Sequence, residues 1–375
     1  MIYLDYSATT PVDKRVLDSF NKACTDFIGN PNSIHSLGVK SNQLINAATK
    51  QISDILNLNS SEIIYTSGAS ESNNLAIKGI CYKYKNRGKH IITTKYEHSS
   101  IYGPLSFLQK DGFDVDFVNT LEDGTIDIEN LKELIRDDTI LVSITSVNSE
   151  IGIINQIEEI ALLLKKYPKL FFHVDMTQSI GKLNISLKNI DLVSMSAHKI
   201  FGLKGIGMLI KKKNIALEPI IHGGKSTTIY RSGTPALPLI VSLSKAMRLI
   251  YENIDTNYEK VSELNKYLRD KLSNILNVFI NSNDKCSPYI LNLSVIGVKP
   301  ETLLHALENH EIYVSTQTAC SSNTSLSKAV LELTKSEDRA KSSIRISLAY
   351  LTTKEEIDIF VEIFKKCVNK LINLR

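Results

Sequence analysis

No apolar run in these 375 residues approaches the length of a membrane span, and the opening MIYLDYSATTPVD has no basic stretch followed by an apolar one. The expectation is a cytoplasmic protein with no membrane association. Charge of one sign is lacking too: 44 Lys and Arg stand against 40 Asp and Glu, and the lysines are scattered. Direct binding to nucleic acid is therefore not expected. The local run Lys211, Lys212, Lys213 reads as a solvated turn after a strand.

Cysteine is sparse. Cys24, Cys81, Cys286, Cys320 and Cys367 are odd in number, lie far apart and show no CxxC or Cys/His spacing, which argues against disulfides and against a metal site. Five thiols in a reducing compartment remain, and their individual reactivity becomes the question. Repeats, low-complexity tracts and Pro/Gly-rich linkers are also missing, so the organisation must come from the order of elements.

That order is informative. Strands are expected near 62–67, 90–94, 114–118, 140–147, 170–175, 191–196 and 205–210, with helices at about 33–57, 70–85, 128–136 and 156–167. The alternation predicts an α/β fold whose mainly parallel sheet is covered by helices on both faces, with ligands outside the carboxyl ends of the strands. After residue 235 the pattern changes to long amphipathic helices (about 236–275), two short strands (PYILNLSV and SIRISL) and a final helix from Thr353. This predicts a smaller α+β C-terminal domain.

Chemistry concentrates at the strand ends. DLVSMSAHKIFGLKGIG delivers His198 and Lys199 from a strand into a glycine-rich turn. Burial and nearby cations lower a lysine's proton affinity until its neutral amine can attack a carbonyl, so such a lysine suits a Schiff base. A surface lysine is the ordinary alternative. LFFHVDMTQS ends an apolar strand on Asp175, a carboxylate that needs a cationic partner unless it caps the next helix; a pyridinium nitrogen would serve. TSGASESNN sets Gly68, Ala69 and Ser70 at a strand-to-helix turn, where backbone N–H groups can cradle a phosphate.

These segments, with YLDYSATTPVD, GNPNSIHSLG, EHSS (97–100), VNSEIG, YRSGT, TACSS and SSIRISL, resemble the cysteine desulfurases, class V members of the fold-type I enzymes that use pyridoxal phosphate (PLP). The resemblance runs nearly end to end and implies a large PLP-binding domain over 15–255, with a seven-stranded sheet. Residues 1–14 and 256–375 would form a small domain carrying a mobile cysteine loop. By position it implies that Lys199 holds PLP, that Asp175 pairs with the ring nitrogen, that Gln178 approaches the ring hydroxyl and that His98 stacks on the ring and moves protons. Ala69, Ser70, Ser196 and His198 would hold the phosphate, with Thr234 reaching it from the other subunit of a homodimer. Arg345 and Asn30 would bind L-cysteine, and Cys320 would take its sulfur and pass it to an acceptor protein for iron–sulfur assembly or thiolation.

Two readings of the residues stand beside the resemblance. STQTACSSNTSLS has no apolar periodicity and reads as an exposed loop, which separates Cys320 from Cys24, Cys81 and Cys367 in helix-like stretches. Cys286, in SNDKCSP, is its rival as an exposed thiol. The resemblance also implies cofactor contacts from Asn148 and Ser149, but the chain departs from the family here: Asn148-Ser149 stands where two asparagines are usual, so the expected ring-hydroxyl contact falls on a serine, and HGGKSTTIYRSGT differs from the usual run before the arginine. The rival functions are another class V activity, such as an aminotransferase or selenocysteine lyase, and a sulfur carrier that has lost catalysis.

Overall fold

A computed structural model of the chain describes residues 1–58, 63–316 and 326–373. The seven runs expected as strands form one sheet. In chain order its strands are β2 (Ile63–Thr66), β3 (His90–Thr94), β4 (Asp114–Val118), β5 (Thr139–Thr145), β6 (Phe171–Asp175), β7 (Leu192–Ser196) and β8 (Gly207–Lys211). Their spatial order is β2-β8-β7-β6-β5-β3-β4, and β8 alone runs against its neighbours. The inner strands are buried along their whole length, as continuous runs such as TILVSIT require when both faces are covered. DVDFV, partly exposed, takes the edge at β4.

The helices supply the cover. Helix α3 (Ala69–Tyr84) and α4 (Ser99–Lys110) place Leu75, Ile77, Ile80, Ile101, Leu105 and Leu108 in one core with Ile64, Ile91, Leu141, Leu192 and Leu209 of the sheet. On the opposite face Ile92, Val142, Ile144, Phe172, Val174, Val193 and Met195 share a core with α1 (Lys14–Asp26), α2 (Ser36–Ile55), α5 (Ile128–Leu134), α6 (Ile157–Leu164) and α7 (Leu237–Tyr251).

The run expected to be helical over 236–275 is broken at Asn253, where α7 gives way to α8 (Ile254–Leu272). Two helices carry less sequence signal. Helix α1 buries only Val16 and Ala23, so it has no broad apolar stripe, and α4 contains Pro104. Beyond α8, strands β9 (Val278–Ile280), β10 (Ile290–Val295) and β12 (Ser343–Ser347) make an antiparallel sheet in the order β12-β10-β9. Helix α9 (Pro300–Glu308), β11 (Ile312–Tyr313), α10 (Lys328–Thr334), α11 (Glu337–Lys341) and α12 (Lys354–Asn373) complete the C-terminal part.

The N-terminus belongs with that part by packing. Strand β1 (Ile2–Tyr3) pairs in parallel with β11, and Ile2 and Leu4 lie in the core built from α8, β10, β12 and α12. Asp5 bridges to Ser347, and the chain then crosses to the carboxyl ends of the large sheet. No helix among the described residues is long and apolar enough to cross a membrane.

Candidate active site

Strands β2, β3, β5, β6 and β7 all point their carboxyl ends at one cavity of about 490 Å³. Its wall contains Gly68, Ala69 and Ser70 after β2, His98 after β3, Ser149 after β5, Asp175 and Gln178 after β6, Ser196, His198 and Lys199 after β7, and Arg345 from β12. Parallel packing brings these segments together from across the sequence.

At the phosphate end, α3 starts without any side-chain cap, so the dipole and the N–H groups of its first turn face the cavity wall uncovered by the chain's own side chains. The backbone there is special. Gly68 has φ 154° and ψ −178°, a conformation essentially reserved for glycine. A Cβ on Gly207 would come 2.5 Å from the carbonyl oxygen of Met195 and 2.7 Å from Cα of Gly68, so glycine is required where β8 passes the turn. Glu71 ties the turn down by accepting from the amide of Ser67 and from Arg231 Nε.

Asp175 is 5% exposed and is held by three donors. Its Oδ2 accepts from Asn73 Nδ2 at 2.8 Å, and its Oδ1 accepts from the amide and hydroxyl of Thr177. No cationic side chain among the described residues forms an ion pair with it, and it lines the cavity. Behind it on β6, His173 is fully buried between the hydroxyls of Ser143 and Ser194, and burial pushes its proton affinity down to about 4, keeping it neutral.

His98 caps α4. Its Nδ1 accepts from the amide of Ser100 at 3.1 Å, which an N–H on that nitrogen would forbid, so the neutral ring carries its proton on Nε2. Burial lowers its pKa further from the usual histidine range, opposed by Asp175 and aided by Lys199. His198 is pushed down to about 4 by burial and by Lys199, Lys204 and Lys182, so it too is neutral.

Lys199 Nζ donates to the carbonyls of Ser7 and Ala8 at 2.6 and 2.8 Å. Gln178 also donates to the Ser7 carbonyl, at 2.9 Å. Arg345 is 2% exposed; its Nη2 donates to Asp5 and its Nη1 to the carbonyl of Ser149, while its Nε is buried and has no partner among the described residues. A guanidinium held by its edge in this way keeps N–H groups for an incoming carboxylate.

Not every expected residue arrives. Asn148 is buried and does not line the cavity; its amide nitrogen donates to the carbonyl of Tyr96 and its oxygen accepts from the amides of Glu150 and Ile151. Asn30 is exposed and accepts from the amide of Asn32, away from the cavity wall; Thr234, expected to serve the other subunit's cavity, is exposed and does not line that of its own chain. Cys320 lies outside the described residues. Among the other thiols, Cys24 is exposed rather than packed, because α1 turns it outward. Cys286, expected to be exposed, is half-buried, and desolvation pushes its thiol up to about 11. Cys81 and Cys367 are buried, as their helical settings suggested.

Sequence reasoning passed over the backbone of Ser7 to Thr9, Asp5, Asn73, Thr177 and Lys204. Carbonyl acceptors leave no trace in a sequence. Thr177, two residues after Asp175 in a D-x-T turn, was the one with a readable signal.

Residues 2–360 match the aminotransferase class-V family, and the chain belongs to it. Within that family it falls among the cysteine desulfurases. It is 42% identical to the cysteine desulfurase IscS of Buchnera aphidicola, over all of this chain and 94% of that protein. A NifS-like protein from Rickettsia africae superposes with a TM-score of 0.88 at 32% identity, covering 98% of this chain and 99% of that one. A structure described as SspA in complex with cysteine superposes at 0.83 and 33% identity, covering 94% and 100%. The α/β fold and the large, mostly parallel sheet are those of this family.

Proposed function

We propose that the chain carries PLP on Lys199 and converts L-cysteine to L-alanine, leaving the sulfur as a persulfide on Cys320 for an acceptor protein. The observation that carries this reading is the convergence of Asp175, Lys199, His98 and Arg345 on one cavity beside an uncapped helix start. The residues fit the cofactor: a buried carboxylate without a cation suits a ring N–H, and the α3 amides with Ser196 and His198 suit a phosphate. When bound, PLP supplies an electron sink for the substrate's α carbon.

The chain's own residues supply the rest. Arg345 fixes the cysteine carboxylate and so its orientation. Lys199 and the Nε2 proton of His98 serve proton movement at the substrate carbons. The Cys320 thiolate attacks the substrate sulfur: an S–S bond forms, the Cβ–S bond breaks, and the electron pair stays on carbon, which takes a proton to become the alanine methyl. One thiol and one cysteine give one persulfide and one alanine, so no oxidant is needed.

Ser315 supports the role of Cys320. It pairs with the backbone of Arg345, and five further residues of chain can reach at most about 17 Å from that anchor. The cysteine named in the SspA structure supports the substrate. We read the protein as a cytoplasmic homodimer, with Thr234 serving the partner's cavity, built from a large unit over 15–255 and a smaller one over 1–14 and 256–375. Iron–sulfur assembly or a thiolation pathway would take the sulfur. The test is alanine formation by PLP-loaded protein given cysteine: Lys199→Ala should lose both the visible absorbance of bound cofactor and turnover, and Cys320→Ala should lose turnover alone. Alanine production that survives in both variants overturns the reading.

A further inference from the structure

Seven residues after Asp175, in the connection from β6 to β7, a second lysine is buried. Lys182 is 7% exposed, donates to Gln178 Oε1 at 3.1 Å and lies 5.7 Å from the ring centre of Tyr289. No carboxylate among the described residues forms an ion pair with it. With Tyr6, Thr10, Lys199 and Phe201 it lines a small pocket of about 10 Å³, scarcely the space of one water.

A lysine ammonium only donates, so the atom of Gln178 that meets it must be the oxygen. That choice turns the amide nitrogen toward the Ser7 carbonyl, which also receives Lys199 Nζ. With the amide reversed, two donors would face each other and two oxygens would meet at Ser7. The two lysines are thus joined by a fixed chain: Lys182, Gln178, the Ser7 carbonyl, Lys199.

We propose that Lys182 is a positioning residue for Lys199, fixing the seat of its amine through Gln178 and Ser7 and, as a second cation sealed beside the same pocket, favouring its neutral form. The titratable groups around Lys182 are Lys199, Arg345, His198, Tyr6, Tyr289 and Tyr350, none of them a carboxylate. Burial and the charges of Lys199 and Arg345 hold Lys182 itself down at about 7, so its charge is present on the acid side of neutrality. A like charge nearby opposes protonation of the Lys199 nitrogen.

The inference rests on the reading of Lys199 as the cofactor's attachment point, and the experiment separates the two. Absorbance of the bound cofactor is titrated against pH in wild type, Lys182→Met, Lys182→Gln and Lys182→Arg, with folding checked by circular dichroism. Met and Gln should raise the midpoint by about one pH unit, a tenfold gain in proton affinity, and Arg should keep it. The Gln variant retains a donor for Gln178, so it serves if Met fails to fold. Identical midpoints in wild type, Met and Gln overturn the inference, as does an Arg midpoint shifted like Met's, which would make the effect one of packing. Absence of any visible band in wild type instead overturns the cofactor reading. In cofactor-free protein, acetylation of Lys199 followed by peptide mass spectrometry should then slow about tenfold in Met and Gln below the Lys182 midpoint, and unchanged rates overturn the inference there.

Discussion

Asp5 and Arg345 are 340 residues apart in the chain, and a carboxylate oxygen of one lies 2.7 Å from a guanidinium nitrogen of the other. Arg345 is almost completely buried and depends on Asp5 for its orientation. Asp5→Asn should loosen that orientation and raise KM for cysteine about tenfold, with a smaller change in kcat. Arg345→Lys, which loses the planar fork, should raise KM about a hundredfold. Steady-state alanine production checks both.

Glu97 gives the stability a pH dependence. It is buried beside His98, accepts from Thr94 and the amide of Thr145, and desolvation pushes it up to about 8 from an ordinary 4.5. The folded state therefore holds a proton that the unfolded state has released between those values, and stability falls as pH rises from about 4.5 to about 8. Glu97→Gln should abolish that slope. Urea midpoints at about pH 5 and about pH 8 for both proteins measure it, and the wild type should lose up to a few kcal/mol that the variant keeps.

The thiols should divide by exposure. Cys24 is exposed and should alkylate first among the described cysteines, with turnover unaffected. Cys286 and Cys81 should resist at neutral pH, since desolvation raises both. Cysteine-fed protein should carry its persulfide on Cys320, and Cys286→Ala should leave the yield within about twofold. Peptide mass spectrometry after labelling reads each site.

Gly207→Ala inserts a methyl against the Met195 carbonyl and Gly68, so the α3 start must move. The expected cost is about 1–3 kcal/mol of stability, with a similar loss in phosphate affinity. Thermal unfolding and titration with PLP, each against wild type, separate the two effects.

Much of this was legible in the sequence, and the reason differs by element. All seven strands of the large sheet were, as short apolar or β-branched runs, unbroken where the strand is buried as in β5 and interrupted by acidic residues at the edge strand β4. Helix α1 was not, because two buried residues make no stripe. Lys199 and Asp175 were legible at strand ends, each beside an ordinary alternative, whereas His98 and Arg345 were marked by the family resemblance and not by their local pattern. Asn148 looked like a ligand, yet its amide serves three backbone groups, a demand set by the turn after β5 and invisible before folding. Lys182 was passed over because nothing local marks it; its meaning lies in which way Gln178 faces.

The first ten residues touch the site at every point: Asp5 holds Arg345, the carbonyls of Ser7 and Ala8 hold Lys199, Thr9 meets His198 and Thr10 meets Phe201. During synthesis this segment leaves the ribosome well before its partners, which emerge about 190 to 340 residues later. At roughly 5–20 residues per second, it waits on the order of half a minute for Arg345. The reaction centre therefore cannot be finished until β12 has been made, and a chain lacking β12 would leave this seam unsewn.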